Sequence, residues 1–458
     1  MISFETALTD AKTRITLWSE AGTIQEATLV RDAKGKVSVY LSPIAGQNFT
    51  DSGLITLKND LCSTLNSTSD KFFSERIYVK NEEWTKDLFK RLEELRVLDP
   101  TPGSSIQWYT VERGISKKAW VQCNGTENAA WHYDMTQSSA HPAYPKIVTF
   151  FSYKGGMGRT TALVASALEL IRRKKNVLMI DTDLEAPGLS TFFFPEGDTG
   201  YVNKGTVDYL LAKNKDANAS QNMSDYILTL NSPNYRDTND GNLYLVCGGK
   251  LDNNFLPKLA RIDSQELVEG RLKYSLTCLL DDCRNAVPQL DYIFIDSRAG
   301  FHDMAGIVTA QLPHGVVLFG KNSYQSWFGI EKAIKTIAKS QSDLPFAIIA
   351  DSGCGQNGIV SNEEKASFRK KSHEVFFNEF YPKFYPNESP PVESAEGVAD
   401  DPVFIPYIPI LSQDIPLYDT TKAPAILNQM QSEPYKKLTD RIMTEFGDVQ
   451  GGGSDNNG

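Results

Sequence analysis

Several absences narrow this chain before any motif is read. In 458 residues no apolar run reaches the roughly 20 needed to cross a bilayer. Met1 to Glu20 alternates charges and holds no apolar core ahead of a small-residue cleavage site, so it does not read as a signal peptide. The six cysteines, at 62, 123, 247, 278, 283 and 354, form no C-x-x-C pair and read as reduced thiols of the cytosol. Cys278 and Cys283 lack metal-ligand spacing, which excludes an iron–sulfur cluster, and the five histidines form no H-x-x-x-H pair. Basic excess is also missing. There are 47 Lys and Arg against 57 Asp and Glu, a net charge of -10, so the surface as a whole is not built for nucleic acid, although a local basic patch is not excluded. What remains is ordinary: 41% hydrophobic and 23% charged residues exclude global disorder, a collagen-like repeat and a disulfide scaffold. The length predicts roughly two to three domains.

The texture of the chain changes near residue 140. Before it, Phe4 to Glu20 reads as a helix, and Ala27 to Val30 and Lys36 to Leu41 as two strands joined by the turn Asp32-Ala33-Lys34-Gly35. Asn81 to Val97 carries Trp84, Leu88, Leu92 and Leu95 at helical spacing, and Ile106 to Val111 and Ala119 to Cys123 read as further strands. Residues 1–140 are therefore expected to form a small α+β module, with no phosphate loop, metal cluster or nucleophile pattern. Thr136 to Pro145 reads as a linker. Beyond it, short apolar runs recur at Ile147 to Phe151, Val177 to Ile180, Leu243 to Val246, Tyr292 to Ile295, Val316 to Phe319, Phe346 to Ala350 and Val403 to Ile405. Such runs suit strands buried on both faces, so residues 145–446 are expected to form an α/β domain with a mostly parallel sheet flanked by helices. Asn214 to Gly241 reads as a polar surface insertion, Tyr385 to Asp401 as a loop, and residues 447–458 as a flexible tail.

One segment carries chemistry. The strand at Ile147 to Phe151 runs into Ser152-Tyr153-Lys154-Gly155-Gly156-Met157-Gly158-Arg159-Thr160-Thr161, and a helix is expected from about Thr160 to Arg172. A strand, a glycine-rich turn and a helix are the phosphate-binding arrangement. The glycines let backbone N–H groups close around phosphate oxygens, and the helix N-terminus adds donors and a favourable dipole. Gly155, Gly156, Met157, Gly158, Arg159, Thr160 and Thr161 are the expected nucleotide contacts, with the Thr160 hydroxyl placed for Mg²⁺. A strict P-loop would have glycine at 153 and lysine at 159; here these are Tyr153 and Arg159.

The string Lys154-Gly155-Gly156-x-Gly158-Arg159-Thr160-Thr161 resembles the deviant Walker A motif of the MinD/ParA family, K-G-G-x-G-K-[ST]-[ST]. Two downstream segments extend the resemblance over roughly residues 145 to 446. Asp181-Thr182-Asp183-Leu184-Glu185-Ala186-Pro187-Gly188 looks like the family's second acidic motif. Asp183 is assigned to positioning water and Asp181 to supporting the metal shell, with capping of the following loop as the alternative for both. Tyr292-Ile293-Phe294-Ile295-Asp296 ends in the Walker B carboxylate, so Asp296 would hold Mg²⁺ through water. Gly300 resembles the switch glycine that senses the γ-phosphate. Arg298 stands where family members carry proline, and reads equally as a phosphate contact or as a salt-bridging residue. For the base, the resemblance points to residues after late strands; Asp351 and Pro406 are the candidates, and Asp351 is equally placed to cap a turn.

The resemblance implies an Mg²⁺-dependent ATPase that works as a switch. Two ATP-bound copies would face each other, the early Lys154 of one reaching the phosphates of the other, with Lys154, Arg159 and Asp183 as the catalytic residues. Arginine is a planar fork where lysine is a compact charge, so turnover is expected to be slow. The acidic balance turns the expected partner away from DNA or membrane and toward a protein recognised by the N-terminal module, as in a bacterial regulatory or defence-type system. A partitioning or positioning ATPase and a non-hydrolysing nucleotide-dependent scaffold are the alternatives. The run Arg172-Arg173-Lys174-Lys175 reads as cations at a helix C-terminus, and Tyr435, Leu438, Ile442 and Phe446 read as a core-facing stripe rather than a membrane anchor.

Overall fold

The computed structural model describes residues 2–448 except 33, 68–70, 81–84, 100, 102, 113–116, 122–144, 196–201, 203, 270–271, 341–345, 356–358 and 394. The linker expected at Thr136 to Pro145, apart from Pro145 itself, lies outside the described residues, as does Cys123. The chain divides into two compact units, residues 1–124 and 125–458.

In the first unit, described strands β1 (Ile24–Arg31), β2 (Val37–Pro43), β3 (Phe73–Val79), β4 (Val97–Leu98) and β5 (Gln107–Glu112) form one sheet in the order β3-β2-β1-β5-β4. β1 and β2 are the antiparallel hairpin expected from the sequence, while β5 joins β1 and β3 joins β2 in parallel. Helix Ala7–Leu17 buries Ala7, Ala11 and Ile15, one residue per turn. Together with Leu57, Leu61 and Leu65 of helix Asp51–Leu65 they belong to a core that also holds Trp108. Thr50 caps the second helix by accepting from the Gly53 N–H at 3.0 Å. Two expectations change. Of the strand expected at Ala119 to Cys123, the described part, Ala119 to Val121, belongs to the short helix Lys118–Val121, and the last two residues lie outside the described residues. Helix Asp51–Leu65 and strand β3 were not anticipated, because polar residues dilute their periodicity.

In the second unit, β6 (Lys146–Ser152), β7 (Val177–Asp181), β8 (Ile227–Leu230), β9 (Leu243–Val246), β10 (Tyr292–Asp296), β11 (Gly315–Gly320), β12 (Phe346–Cys354) and β13 (Val403–Pro406) form a sheet in the order β13-β12-β11-β6-β10-β7-β9-β8. Every neighbouring pair is parallel except β8 with β9. The fold is α/β, with a mostly parallel sheet flanked by helices. Strands β6, β7, β10 and β11 are buried along almost their whole length, as a sheet covered on both faces requires. β8 corrects the view of Asn214 to Gly241 as a surface insertion, since part of it extends the sheet as an antiparallel edge. The helix Glu433–Glu445 buries Tyr435, Leu438 and Ile442 in the main core, and Phe446 packs beside them. Its apolar stripe is spent inside the unit. Asp448, expected in a flexible tail, instead accepts from the Tyr292 hydroxyl at 2.6 Å and pairs with Lys146. Among the described residues no helix is long and apolar enough to cross a membrane.

The topology places the candidate site. The strand that follows β6 in the chain, β7, lies to one side with β10 between them, and β11 lies on the other side. Chain direction across the sheet therefore switches at β6, and the carboxyl ends of strands at such a point border a crevice.

Candidate functional site

The chain leaves β6 through Tyr153 to Gly158 and enters helix Arg159–Arg172 directly. Gly156 and Gly158 hold φ of 72° and 67°, in the left-handed region that residues with a Cβ avoid. Gly155, Gly156 and Gly158 are exposed, and a Cβ on Gly155 or Gly156 would meet nothing within 4 Å. The loop is thus an open cradle of backbone with its amides at a helix N-terminus. Lys154 is exposed on it, Met157 is buried beneath it, and Thr161 follows in the first helical turn.

Strand register brings the carboxylates to the loop. Asp296 pairs across the ladder with Phe150 on one side and Asp181 on the other. Arg159 Nε donates to Asp296 Oδ1 at 2.6 Å and its Nη2 donates to Asp183 Oδ2 at 2.8 Å, while the Thr160 hydroxyl donates to Asp296 Oδ2 at 2.7 Å. The side chains of Arg159, Asp183 and Asp296 are only 9%, 13% and 1% exposed. Burial works against the Arg159 charge, but Asp296 and Asp183 outweigh it and strengthen its hold on the proton. Burial raises the Asp296 pKa above the usual carboxylate value, with Arg159 and Thr160 opposing, and each of its oxygens accepts a hydrogen bond.

Asp181 is differently engaged. Its Oδ1 accepts from the Asp183 N–H at 3.0 Å, and its Oδ2 accepts from the Gly188 and Leu189 N–H groups, both at 3.1 Å. It organises the loop that carries Asp183, and complete burial raises its pKa well above the usual carboxylate range. The Gly300 N–H donates to the Ser152 carbonyl at 3.0 Å, with φ at 84°. Arg298 pairs with Glu185 and lies 3.1 Å from His302 Nδ1. Glu185 was not singled out in the sequence, although it lies within the second acidic motif.

The base candidates are not brought to the loop equally. Ser352 donates its hydroxyl to the Met157 carbonyl at 2.6 Å, a brace that no sequence signal pointed to. Its neighbour Asp351 projects from the opposite face of β12, as strand alternation requires. Asp351 is buried, and its pKa is pushed up to about 7 by burial first and Glu364 second, with Lys321 opposing. Pro406 ends β13, about 14 Å from β6 across three strand spacings. Beside the loop, Tyr153 packs against Phe301 and Phe328 at 4.8 and 5.9 Å between ring centres, which accounts for an aromatic residue at that position.

The chain resembles ParA-type P-loop ATPases among solved structures. One is the ParA of pNOB8 bound to nonspecific DNA, at 15% identity and a TM-score of 0.44, covering 66% of this chain and 99% of that one. A second is the ATP complex of a Cyanothece McdA variant, at 16% identity and a TM-score of 0.40, covering 67% and 98%. A third is cobyrinic acid a,c-diamide synthase from Mycobacterium smegmatis with ADP and magnesium, at 14% identity and a TM-score of 0.40, covering 66% and 96%. No protein-family model and no curated protein matches the chain.

Hard oxygen donors suit Mg²⁺, and Thr160 and Asp296 fit it in kind. Their oxygens are engaged with each other and with Arg159. Among the described residues no group of three or more His, Cys, Asp or Glu is placed to hold a metal ion.

Proposed function

We propose that the second unit binds ATP at the Tyr153–Gly158 loop and hydrolyses it slowly, as a switch that acts through ATP-controlled pairing of two copies. The observation that carries this is the open glycine loop at a helix N-terminus with Thr160 and Asp296 joined beside it. The amides of Gly155, Gly156, Met157 and Gly158 donate to phosphate oxygens. Thr160 and Asp296 would hold Mg²⁺, whose contribution is to neutralise phosphate charge. Asp183 orients a water that attacks the γ-phosphorus as the bond to the β–γ bridging oxygen breaks, releasing ADP and phosphate. Lys154, exposed on the loop, reaches the phosphates of a second copy, and Arg159 stabilises charge on the transferring group. Asp181 supports the metal shell through the loop it holds. The Gly300 N–H exchanges the Ser152 carbonyl for the γ-phosphate. Arg298 keeps the Asp183 and Gly300 segments together through Glu185. Asp351 and Pro406 remain the proposed limits of the base site.

The N-terminal unit recognises a protein partner, in a regulatory or defence-type system. The two arginines of the local basic run support this choice over DNA, because both are engaged with carboxylates. Arg173 pairs with Glu169 at 2.9 Å and Asp440 at 2.5 Å, and Arg172 lies 3.7 Å from Glu169. A nucleotide-dependent scaffold is the second reading, favoured by the engagement of Arg159 with both carboxylates.

The test pairs phosphate release with oligomeric state for wild type, Lys154→Ala and Asp183→Ala. Asp183→Ala is expected to lose turnover, about 10²-fold or more, while still pairing with ATP. Lys154→Ala is expected to lose both. Unchanged turnover and pairing in Lys154→Ala would sink the paired mechanism, and pairing without phosphate release in wild type would establish the scaffold.

A further inference from the structure

We infer that Arg159 is an internal counter-ion that keeps the carboxylates of the nucleotide-free site closed to divalent metal until a triphosphate draws it away. The inference rests on the reading that this loop binds triphosphate.

Both oxygens of Asp296 are taken, Oδ1 by Arg159 and Oδ2 by Thr160, and Asp183 is held by the other arm of the same guanidinium. A divalent ion entering this place needs those same oxygens. The carboxylates are nearly sealed from water, at 13% and 1% exposure. Pulling the guanidinium away with nothing in return would leave two like charges buried and unpaired, which is strongly unfavourable. Metal alone must therefore displace an ion pair that fits by a fork, two donors on two carboxylates. A triphosphate changes the balance because guanidinium binds phosphate oxygens as readily as carboxylates. Phosphate in the loop gives Arg159 a second partner one residue beyond Gly158, and its departure frees Asp296 and Asp183 together. A lysine at this position is a single point charge and cannot span both carboxylates with separate donors in a fixed fork. Arg298 pairs with Glu185 and acts on Asp183 only through its charge, so among the described residues Arg159 is the guanidinium that donates to both carboxylates. The consequence is an order of binding: triphosphate first, divalent metal second.

The test uses the full chain with Mn²⁺ as the metal probe, followed by the loss of its free electron paramagnetic resonance signal. Nucleotide-free wild type is expected to take up Mn²⁺ at least about tenfold more weakly than Arg159→Ala, with Arg159→Lys between them. The gained site should vanish in Arg159→Ala/Asp296→Asn, which separates it from adventitious binding to an acidic surface. A fluorescent ATP analogue should bind wild type in chelator without any metal, and Mn²⁺ uptake should then appear. If the variants do not fold, thermal melting of wild type decides. A rise with triphosphate in chelator and none with Mn²⁺ alone supports the closure. Equal Mn²⁺ uptake by nucleotide-free wild type and Arg159→Ala, or a wild-type melting rise with Mn²⁺ alone as large as that with triphosphate in chelator, overturns it. Absence of analogue binding under every condition would instead sink the nucleotide-binding reading, whatever the Mn²⁺ result.

Discussion

At Asp351 the chain buries a carboxyl whose Oδ2 has no hydrogen-bond partner among the described residues. Burial raises its pKa to about 7 in the fold, from about 3.9 when unfolded. The folded protein therefore holds a proton there that the unfolded chain releases. Stability from this group is complete below the unfolded pKa and is lost as pH rises through about 7. Asp351→Asn, which keeps the shape without the titration, is expected to match wild type near pH 4 and to be the more stable at pH 8, by on the order of 1–3 kcal/mol. Chemical denaturation at the two pH values measures this, and an equal difference at both would refute it. Residues of this kind show how far the sequence reads at the finest scale. Arg159, Thr160, Asp183 and Asp296 were singled out as candidates by their motifs, and the fold brings them into contact. That Arg159 would bridge Asp183 and Asp296, 24 and 137 positions away, was not, because a side chain's partner across the sheet follows from strand order rather than local spacing.

Among the elements, the helix Glu433–Glu445 gives the sharpest test. Leu438 is completely buried in the core of the second unit. Leu438→Ala is expected to cost about 3 kcal/mol in urea unfolding, with the spread typical of how well such a cavity collapses. Binding to lipid vesicles should be unaffected, because the stripe faces protein. A variant as stable as wild type would mean that the helix is not packed as described. Legibility varied with burial. Continuous apolar runs such as Ile147 to Phe151 and Tyr292 to Ile295 announced strands, since a strand covered on both faces needs apolar residues at every position. β8 was hidden in a polar segment because an edge strand buries little. Ala119 to Cys123 misled because Trp120 and Val121 favour strands, while too few residues are present for periodicity to correct them.

For the whole molecule, the division at residues 124 and 125 has a direct consequence. The first unit has its own core, including Trp108, Leu29, Leu41 and Leu61, each almost fully buried. Residues 1–124 alone are expected to fold and to unfold in a single cooperative transition, as small domains do, which circular dichroism during heating would measure. A non-cooperative melt would mean that this unit borrows stability from the second. The sequence by itself determined the composition class, the glycine-rich turn between a strand and a helix, and the acidic residues at the ends of two apolar runs, because these rest on residue type and local spacing. Only the tertiary structure decided that Arg159 bridges Asp296 and Asp183, that Asp181 organises its own loop, that Ser352 braces the glycine loop and that Arg298 turns to Glu185. Each of these depends on which strands lie side by side, and strand order is set by the packing of the whole sheet rather than by any one segment of it.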